Sequence, residues 1–150
     1  MGRHSTIDHQ QQAIFGPFFA TIFLTIVVWV YMYIRRIHFL KTTNFPVEQI
    51  KRPEDLARII PPAVANPSDN LKNLFEVPVL FYATVLYLFV TKQVDTAYII
   101  AAWLYFFFRV LHSAIHCTIN IIIIRFYVYL ASCLALYFMI FRAMFAYFTS

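Results

Sequence analysis

Residues 13–34, AIFGPFFATIFLTIVVWVYMYI, contain no charged side chain. A helix needs about 20 such residues to cross the hydrocarbon core of a bilayer. Segments 73–91, 97–117 and 121–148 are also apolar and of comparable length. The chain is 61% hydrophobic and 13% charged, with a mean hydropathy of +0.68, a composition unlike that of soluble domains. The sequence therefore predicts one all-α membrane domain over 1–150, with four transmembrane helices at about 13–34, 67–91, 97–117 and 121–148.

The long polar segment, residues 35–66, is predicted to be a loop between the first two helices. Within it, Pro53 followed by two acidic residues has the pattern of a short helix that begins with a proline. Asn66-Pro67 resembles an N-cap followed by a first-position proline, so the second helix is expected to begin at residue 67. Pro78 lacks a backbone N–H and is expected to kink that helix.

Basic residues are concentrated on one side of the predicted membrane. That side holds Arg35, Arg36, Lys41, Lys51, Arg52, Arg58 and Lys72. The other side holds Arg3, Lys92 and Arg142. Because basic loops favour the cytoplasm, loop 35–66 is predicted to be cytoplasmic and both termini non-cytoplasmic. Anionic membrane lipids account for the formal charge of +5, and no nucleic acid partner is predicted.

Polar side chains recur at helical spacing inside the apolar segments. In the third helix, Arg109, His112, His116 and Asn120 share one face, and in the fourth, Arg125 and Tyr129 are one turn apart. A hairpin between these helices brings both groups to one end of the bundle. The second helix presents Asn73 and Glu76 at the same end. Ionisable residues within membrane helices indicate a functional site.

Several explanations of this cluster are open. Glu76 could pair with Arg109 or Arg125 and only fix the helix register. However, the three cations Lys72, Arg109 and Arg125 outnumber that one acid, which favours an anionic ligand. A metal held by His112 and His116 is not favoured, because zinc needs more ligands and the arginines repel cations. Nothing in the sequence supports nucleophilic hydrolysis or a phosphate-binding loop.

The motifs NLFEVPVLFY at 73–82 and RVLHSAIHCTIN at 109–120, followed by Arg125 and Tyr129, resemble the MAPEG family, the membrane-associated proteins in eicosanoid and glutathione metabolism. They are most similar to its bacterial branch, and the resemblance covers approximately Phe15 to Arg142. It implies a left-handed four-helix bundle that assembles as a homotrimer in a bacterial inner membrane. Glutathione would bind between subunits near the cytoplasmic face, and a lipophilic substrate would arrive from the membrane.

The resemblance also assigns roles to the polar residues. Asn73 and Glu76 match residues that hold glutathione, and Glu76 is suited to bind the amino group of glutathione. The other predicted cofactor-binding residues are Lys72, Arg109, His112 and His116. Arg125 and Tyr129 match catalytic positions, with Arg125 where the family has its thiolate-stabilising arginine. A guanidinium next to a thiol favours the ionised nucleophile.

The chain departs from the family pattern at three positions. Asp69 stands where better-known members carry an arginine, and His116 replaces a tyrosine. Phe126 replaces the serine of the prostaglandin E synthase branch, so that isomerase activity is not predicted. Two functions follow as hypotheses. One is a thiol transferase or peroxidase acting on lipophilic electrophiles, and the other is a non-catalytic trimer or accessory subunit of a larger membrane complex.

Overall fold

The computed structural model describes residues 9–43, 46, 50 and 52–149. Its helices are α1 (Phe15–Thr42), α2 (Pro53–Ile59), α3 (Pro62–Glu76), α4 (Pro78–Val90), α5 (Thr96–Cys117) and α6 (Ile122–Thr149). A helical turn from His9 leads into α1, and only Val77 separates α3 from α4. Four helical segments, 9–42, 62–90, 96–117 and 122–149, are long and apolar enough to cross a membrane. The predicted all-α bundle of four long helices is confirmed.

Helix α1 continues to Thr42 and does not end near residue 34 as predicted. Residues 35–42 contain the charged Arg35, Arg36 and Lys41 and end the uncharged run, but they include no glycine or proline that would stop a helix. The end of the apolar run therefore marks a change of environment along α1 and not the end of the helix. The predicted loop 35–66 is correspondingly shorter, and its residues 44–45, 47–49 and 51 lie outside the described residues.

The predicted start of the second helix at residue 67 is wrong, because α3 begins at Pro62 with Pro61 as its extended N-cap. Pro67 lies inside the helix and is buried. Since proline has no N–H, the carbonyl of Ala63, four residues earlier, loses its usual helical donor. Arg35 Nη2 donates to that carbonyl at 3.2 Å. A side chain of α1 thus replaces the missing backbone donor.

The prediction of a short helix that begins at Pro53 is confirmed. The short helix α2 starts at Pro53, and the Asp55 carboxylate accepts the backbone N–H of Arg52 at 3.1 Å. Helix α3 ends at Glu76 and α4 begins at Pro78, with Val77 between them in a helical conformation (φ −64°, ψ −35°), and the kink expected at Pro78 stays a prediction. The part of this span that carries Asn73 is therefore a separate helical segment from the apolar part.

The apolar core lies among α4, α5 and α6. Phe81 of α4 stacks on Tyr105 of α5 with ring centroids 4.4 Å apart, and both are fully buried. Leu136 and Met139 of α6 complete the core from the third side. Many large apolar side chains on the opposite faces are exposed, as expected of helices that contact lipid or other helices.

An ion pair between α5 and α6 lies at one end of the bundle. We call this end the clasp end and define it by residues 91–96 together with the part of α6 that packs on them. Asp95 is the N-cap of α5 and accepts the N–H of Tyr98 at 3.0 Å. Arg142 donates to both carboxylate oxygens of Asp95, at 2.8 and 2.5 Å, and its guanidinium lies 4.3 Å from the Tyr98 ring centroid. The hydrogen bonds from Arg142 hold the pKa of Asp95 below its ordinary value. This clasp joins the start of α5 to α6.

The segment before α1 is attached to the same end. The Gln11 side chain donates to the carbonyl of Val94 at 3.0 Å and accepts the N–H of Val94 at 3.3 Å. The amide of a glutamine therefore pairs with a backbone peptide as a neighbouring strand would, which fixes the N-terminal turn against the turn between α4 and α5.

The turns at the two ends each contain a left-handed residue that is not glycine, Lys92 with φ 56° and Asn120 with φ 47°. At Lys92 the N–H groups of Lys92 and Gln93 bond back to Phe89 and Leu88, at 3.1 and 2.9 Å. This is the Schellman pattern that glycine usually completes. Asn120 belongs to the turn between α5 and α6, at the opposite end, which we call the arginine end and define by residues 117–125.

Candidate functional site

Arg109 is the centre of the polar cluster near the arginine end. It lies on the face of α5 turned to α3, and it is fully buried. Arg109 Nη2 donates to the backbone carbonyl of Asn73, in the last turn of α3, at 2.6 Å. Its guanidinium carbon lies 5.2 Å from the Tyr129 ring centroid, while Nε and Nη1 have no hydrogen-bond partner in the part of the chain that the structure describes. Such a charge costs several kcal/mol to bury unless a counter-charge is supplied, so these two buried nitrogens are donors that still lack an acceptor among the described residues.

His112 lies one turn beyond Arg109 on the same face. Its Nδ1 is 3.2 Å from the backbone carbonyl oxygen of Arg125. Because a carbonyl only accepts, Nδ1 carries the proton and Nε2 of the neutral ring is an acceptor. Nε2 is buried and has no hydrogen-bond partner within residues 9–43 and 52–149. The His112 ring lies 5.4 Å from that of Tyr129 and 5.6 Å from that of His116, whose Nδ1 likewise has no partner within these residues.

Arg125 lies in the first turn of α6 and is half-buried. Its Nη1 donates to Asn120 Oδ1 at 2.6 Å, and Asn120 Nδ2 donates to Asn66 Oδ1 at 3.0 Å. A chain of side chains thus runs from α3 through the turn between α5 and α6 to the Arg125 guanidinium.

Six of the eight predicted site residues are therefore brought into one cluster. They are Asn73, Arg109, His112, His116, Arg125 and Tyr129. Asn73 contributes its backbone carbonyl, a role that its side chain gave no reason to predict.

Lys72 and Glu76 lie on the exposed side of α3. Lys72 forms a salt bridge with Asp69 at 3.1 Å, and both side chains are more than half exposed. Glu76 is exposed and makes no hydrogen bond or salt bridge with any other residue that the structure describes. The alternative in which Glu76 neutralises Arg109 or Arg125 within one chain is therefore wrong.

The sequence did not reveal a second set of polar contacts behind the cluster. Asn70 is fully buried, accepts from Ser113 Oγ at 3.4 Å and donates to Cys117 Sγ at 3.6 Å. Asn66, Asn70 and Asn73 are spaced by four and three residues, which places them on one helix face. That spacing would have indicated the contact, but a helix start at residue 67 left Asn66 outside the helix.

The charges of the site are unbalanced. The salt bridges within residues 9–43 and 52–149 are Lys72–Asp69 and Arg142–Asp95, and neither includes Arg109 or Arg125. The same residues contain no group of three metal-ligating side chains. What the cluster offers chemically is a set of guanidinium donors and one imidazole acceptor, an arrangement suited to an anion or to a thiol that ionises.

The fold and this cluster define an integral membrane protein of the helical-bundle class, with buried cationic groups near one end. The MAPEG family model matches residues 14–145, nearly the whole chain, and the protein belongs to the MAPEG family. No curated protein and no solved structure was found to match the chain.

Proposed function

We propose that the protein is a membrane-bound transferase or peroxidase that uses glutathione, or another small thiol, against lipophilic electrophiles. The observation that carries this proposal is the Arg109 guanidinium, which is fully buried and has two nitrogens without hydrogen-bond partners among the described residues. Arg125 adds a second cation, and His112 of the cluster hydrogen-bonds to its backbone carbonyl oxygen. An anionic ligand would supply the counter-charge that no described carboxylate supplies.

The proposed chemistry begins with the ionised thiol. Arg125 stabilises the thiolate, whose sulfur forms a bond to an electrophilic carbon while the leaving group departs with its bonding pair. With a peroxide, the thiolate sulfur instead attacks an oxygen, the O–O bond breaks and the alkoxide takes a proton. A second thiol then reduces the resulting sulfenic acid to a disulfide and water. Apolar membrane-facing surfaces would admit such lipophilic substrates from the bilayer.

The proposal includes a homotrimer in a bacterial inner membrane, with the arginine end towards the cytoplasm and both termini on the other side. Glu76 supports a site shared between subunits, because its carboxylate is exposed and forms no salt bridge with the described residues of its own chain. In a trimer it would meet the amino group of a ligand bound at the subunit boundary.

A second candidate is a non-catalytic trimer or an accessory subunit of a larger complex. The observation that favours it is the Asp69–Lys72 salt bridge. Lys72 is already paired with Asp69, and Asp69 adds a negative charge one turn before Asn73. A carboxylate at this place would repel the carboxylates of glutathione.

Arg125→Ala tests the proposal. The purified protein in detergent is titrated with glutathione at millimolar concentration, and binding is followed by calorimetry and by the absorbance of the thiolate. We expect thiolate absorbance with the native protein and its loss in Arg125→Ala, with an unchanged oligomer on size exclusion. Arg58→Ala removes an equal charge from the exposed surface of α2 and is the matched control. Absence of binding to the native protein would reject the enzyme and favour the accessory subunit.

A further inference from the structure

We propose that Asn120 is a positioning residue that orients the Arg125 guanidinium for the bound thiolate. This inference rests on the proposed function, because it concerns how the same site acts. It starts from one hydrogen bond, between Arg125 Nη1 and Asn120 Oδ1 at 2.6 Å. A guanidinium is planar, so a short bond at one terminal nitrogen restricts the direction in which the other N–H groups point.

The Asn120 side chain is itself fixed at its other atom. Its Nδ2 donates to Asn66 Oδ1 at 3.0 Å, and Asn66 belongs to α3. Rotating the Asn120 amide by half a turn would place nitrogen against Arg125 and oxygen against the Asn66 oxygen, so both bonds would be lost. The two bonds therefore select one orientation of the amide and tie α3, the turn and α6 together.

The backbone of Asn120 indicates why asparagine occupies this position. Its φ of 47° is left-handed, and its N–H donates to the Ile115 carbonyl at 2.8 Å, which ends α5. Glycine adopts this conformation more easily and would be sufficient if the turn were the only requirement. Asparagine tolerates the left-handed region and also supplies an amide that reaches Arg125.

The main chain of Arg125 is held as well. The proton on His112 Nδ1 bonds to its carbonyl oxygen at 3.2 Å, so α5 fixes the backbone while Asn120 fixes the side chain. An arginine that is ordered before the ligand binds loses less side-chain entropy on binding, and its N–H donors already point towards the position of the thiolate. This is how Asn120 acts on the thiol without touching it.

The test compares Asn120→Gly, which keeps the left-handed backbone and removes the amide, with the native protein. The apparent pKa of the bound glutathione thiol is measured from thiolate absorbance against pH, together with kcat and KM. We expect the pKa of that thiol to rise by about one unit, equivalent to a tenfold loss of thiolate stabilisation, and kcat to fall by a similar factor. KM should change much less, because the groups around Arg125 remain, namely Arg109, His112 and His116 on α5, Tyr129 on α6 and Asp69 on α3.

A double-mutant cycle separates positioning from a structural effect. In the Arg125→Ala background the bound thiol ionises only at higher pH, and there Asn120→Gly should leave its apparent pKa unchanged, whereas a structural role would raise that pKa further. Asn66→Ala keeps the left-handed residue and removes only the anchor of its amide, so it should shift the thiol pKa in the same direction by less. That variant also keeps the test decisive if Asn120→Gly loses its oligomer.

The outcomes are distinguishable. If the native protein shows no bound thiolate, the proposed function fails, and this inference fails with it. If the native protein shows the thiolate and both Asn120→Gly and Asn66→Ala match its pH profile, the proposed function stands and the positioning role of Asn120 is overturned.

Discussion

The two ends of the bundle differ in whether their charged side chains are paired. At the clasp end, Asp95 and Arg142 pair through two hydrogen bonds, although their side chains are 43% and 39% exposed. Near the arginine end, Arg109 is 0% exposed and forms no salt bridge with any described carboxylate. Selection for stability alone would favour the reverse, since pairing matters most where water is absent.

This difference indicates what each end is for. The ion pair of the clasp end joins α5 to α6, although both of its side chains are exposed enough to be solvated by water. Near the arginine end, the buried charge of Arg109 has no carboxylate partner among the described residues, while the nearby acids Asp69 and Glu76 lie on the exposed side of α3. An uncompensated buried charge in a membrane helix is explained most directly by a ligand that completes it.

The largest expected effect comes from Arg109→Met, which removes the buried charge but keeps an unbranched side chain of similar reach. We expect glutathione binding, measured by calorimetry, to weaken at least about tenfold, because a charged hydrogen bond is worth about 1.5–3 kcal/mol. The free energy of unfolding of the ligand-free protein should rise by about 1 kcal/mol, since replacing buried charge by apolar groups is often stabilising. A large loss of stability instead would mean that Arg109 is already neutralised, and the contrast between the two ends would disappear.

Asp95→Ala should have the opposite result, a loss of stability without a loss of thiol binding. It removes both an N-cap, worth about 1 kcal/mol, and the pairing with Arg142, so we expect a loss of about 2 kcal/mol in unfolding experiments in detergent. Asp95→Asn keeps a capping oxygen and should lose only about half as much. Equal losses in the two variants would show that the ion pair, and not the cap, is what stabilises this end.

The two left-handed residues provide a matched comparison between the ends. Lys92 is exposed and Lys92→Gly should raise the free energy of unfolding by about 1 kcal/mol, because the backbone strain is relieved and no side-chain hydrogen bond of Lys92 is lost among the described residues. Asn120→Gly relieves similar strain but breaks the bonds to Arg125 and Asn66, so it should bring no gain. Thermal unfolding of the two variants side by side would measure this, and a gain at Asn120 would indicate that its side chain contributes little.

The smallest expected effect is a dependence of stability on acid pH at the clasp end. Because the pKa of folded Asp95 is lower than its unfolded value of about 3.9, its contribution is complete above that pH and is lost as pH falls through the folded pKa. The exposure of the pair limits this contribution to about 1 kcal/mol or less. Unfolding followed from about pH 6 to pH 2 should show a shallower acid decline in Asp95→Asn than in the native protein. Identical declines would show that the low pKa of Asp95 does not contribute to stability.

The sequence was sufficient for the four spans, because the bilayer requires long apolar helices whatever their partners are. It was insufficient for the start of α3, since Pro61-Pro62 and Asn66-Pro67 both fit the local rules for a helix start. The contact that allows Pro67 inside the helix comes from Arg35, distant in sequence. Local patterns contain no information about such a contact.

The sequence likewise predicted some features of the candidate site and missed others. Helical spacing placed Arg109, His112 and His116 on one face, and the hairpin placed Arg125 next to them, as the structure has it. The spacing did not predict that Glu76 would be exposed, because its face depends on how α3 rotates against α5. The clasp was missed because Asp95 and Arg142 are 47 positions apart, although Asp95 before Thr96 has the pattern of an N-cap.

The bond between Arg35 and the Ala63 carbonyl makes the order of substitutions matter. If Pro67→Ala occurs first, the restored N–H can serve that carbonyl, and Arg35 can then be replaced without loss at this contact. If Arg35 is replaced first, the carbonyl loses its donor at a cost of about 1 kcal/mol. Two sequences that differ at both positions can therefore be equally stable while only one path between them avoids a less stable intermediate.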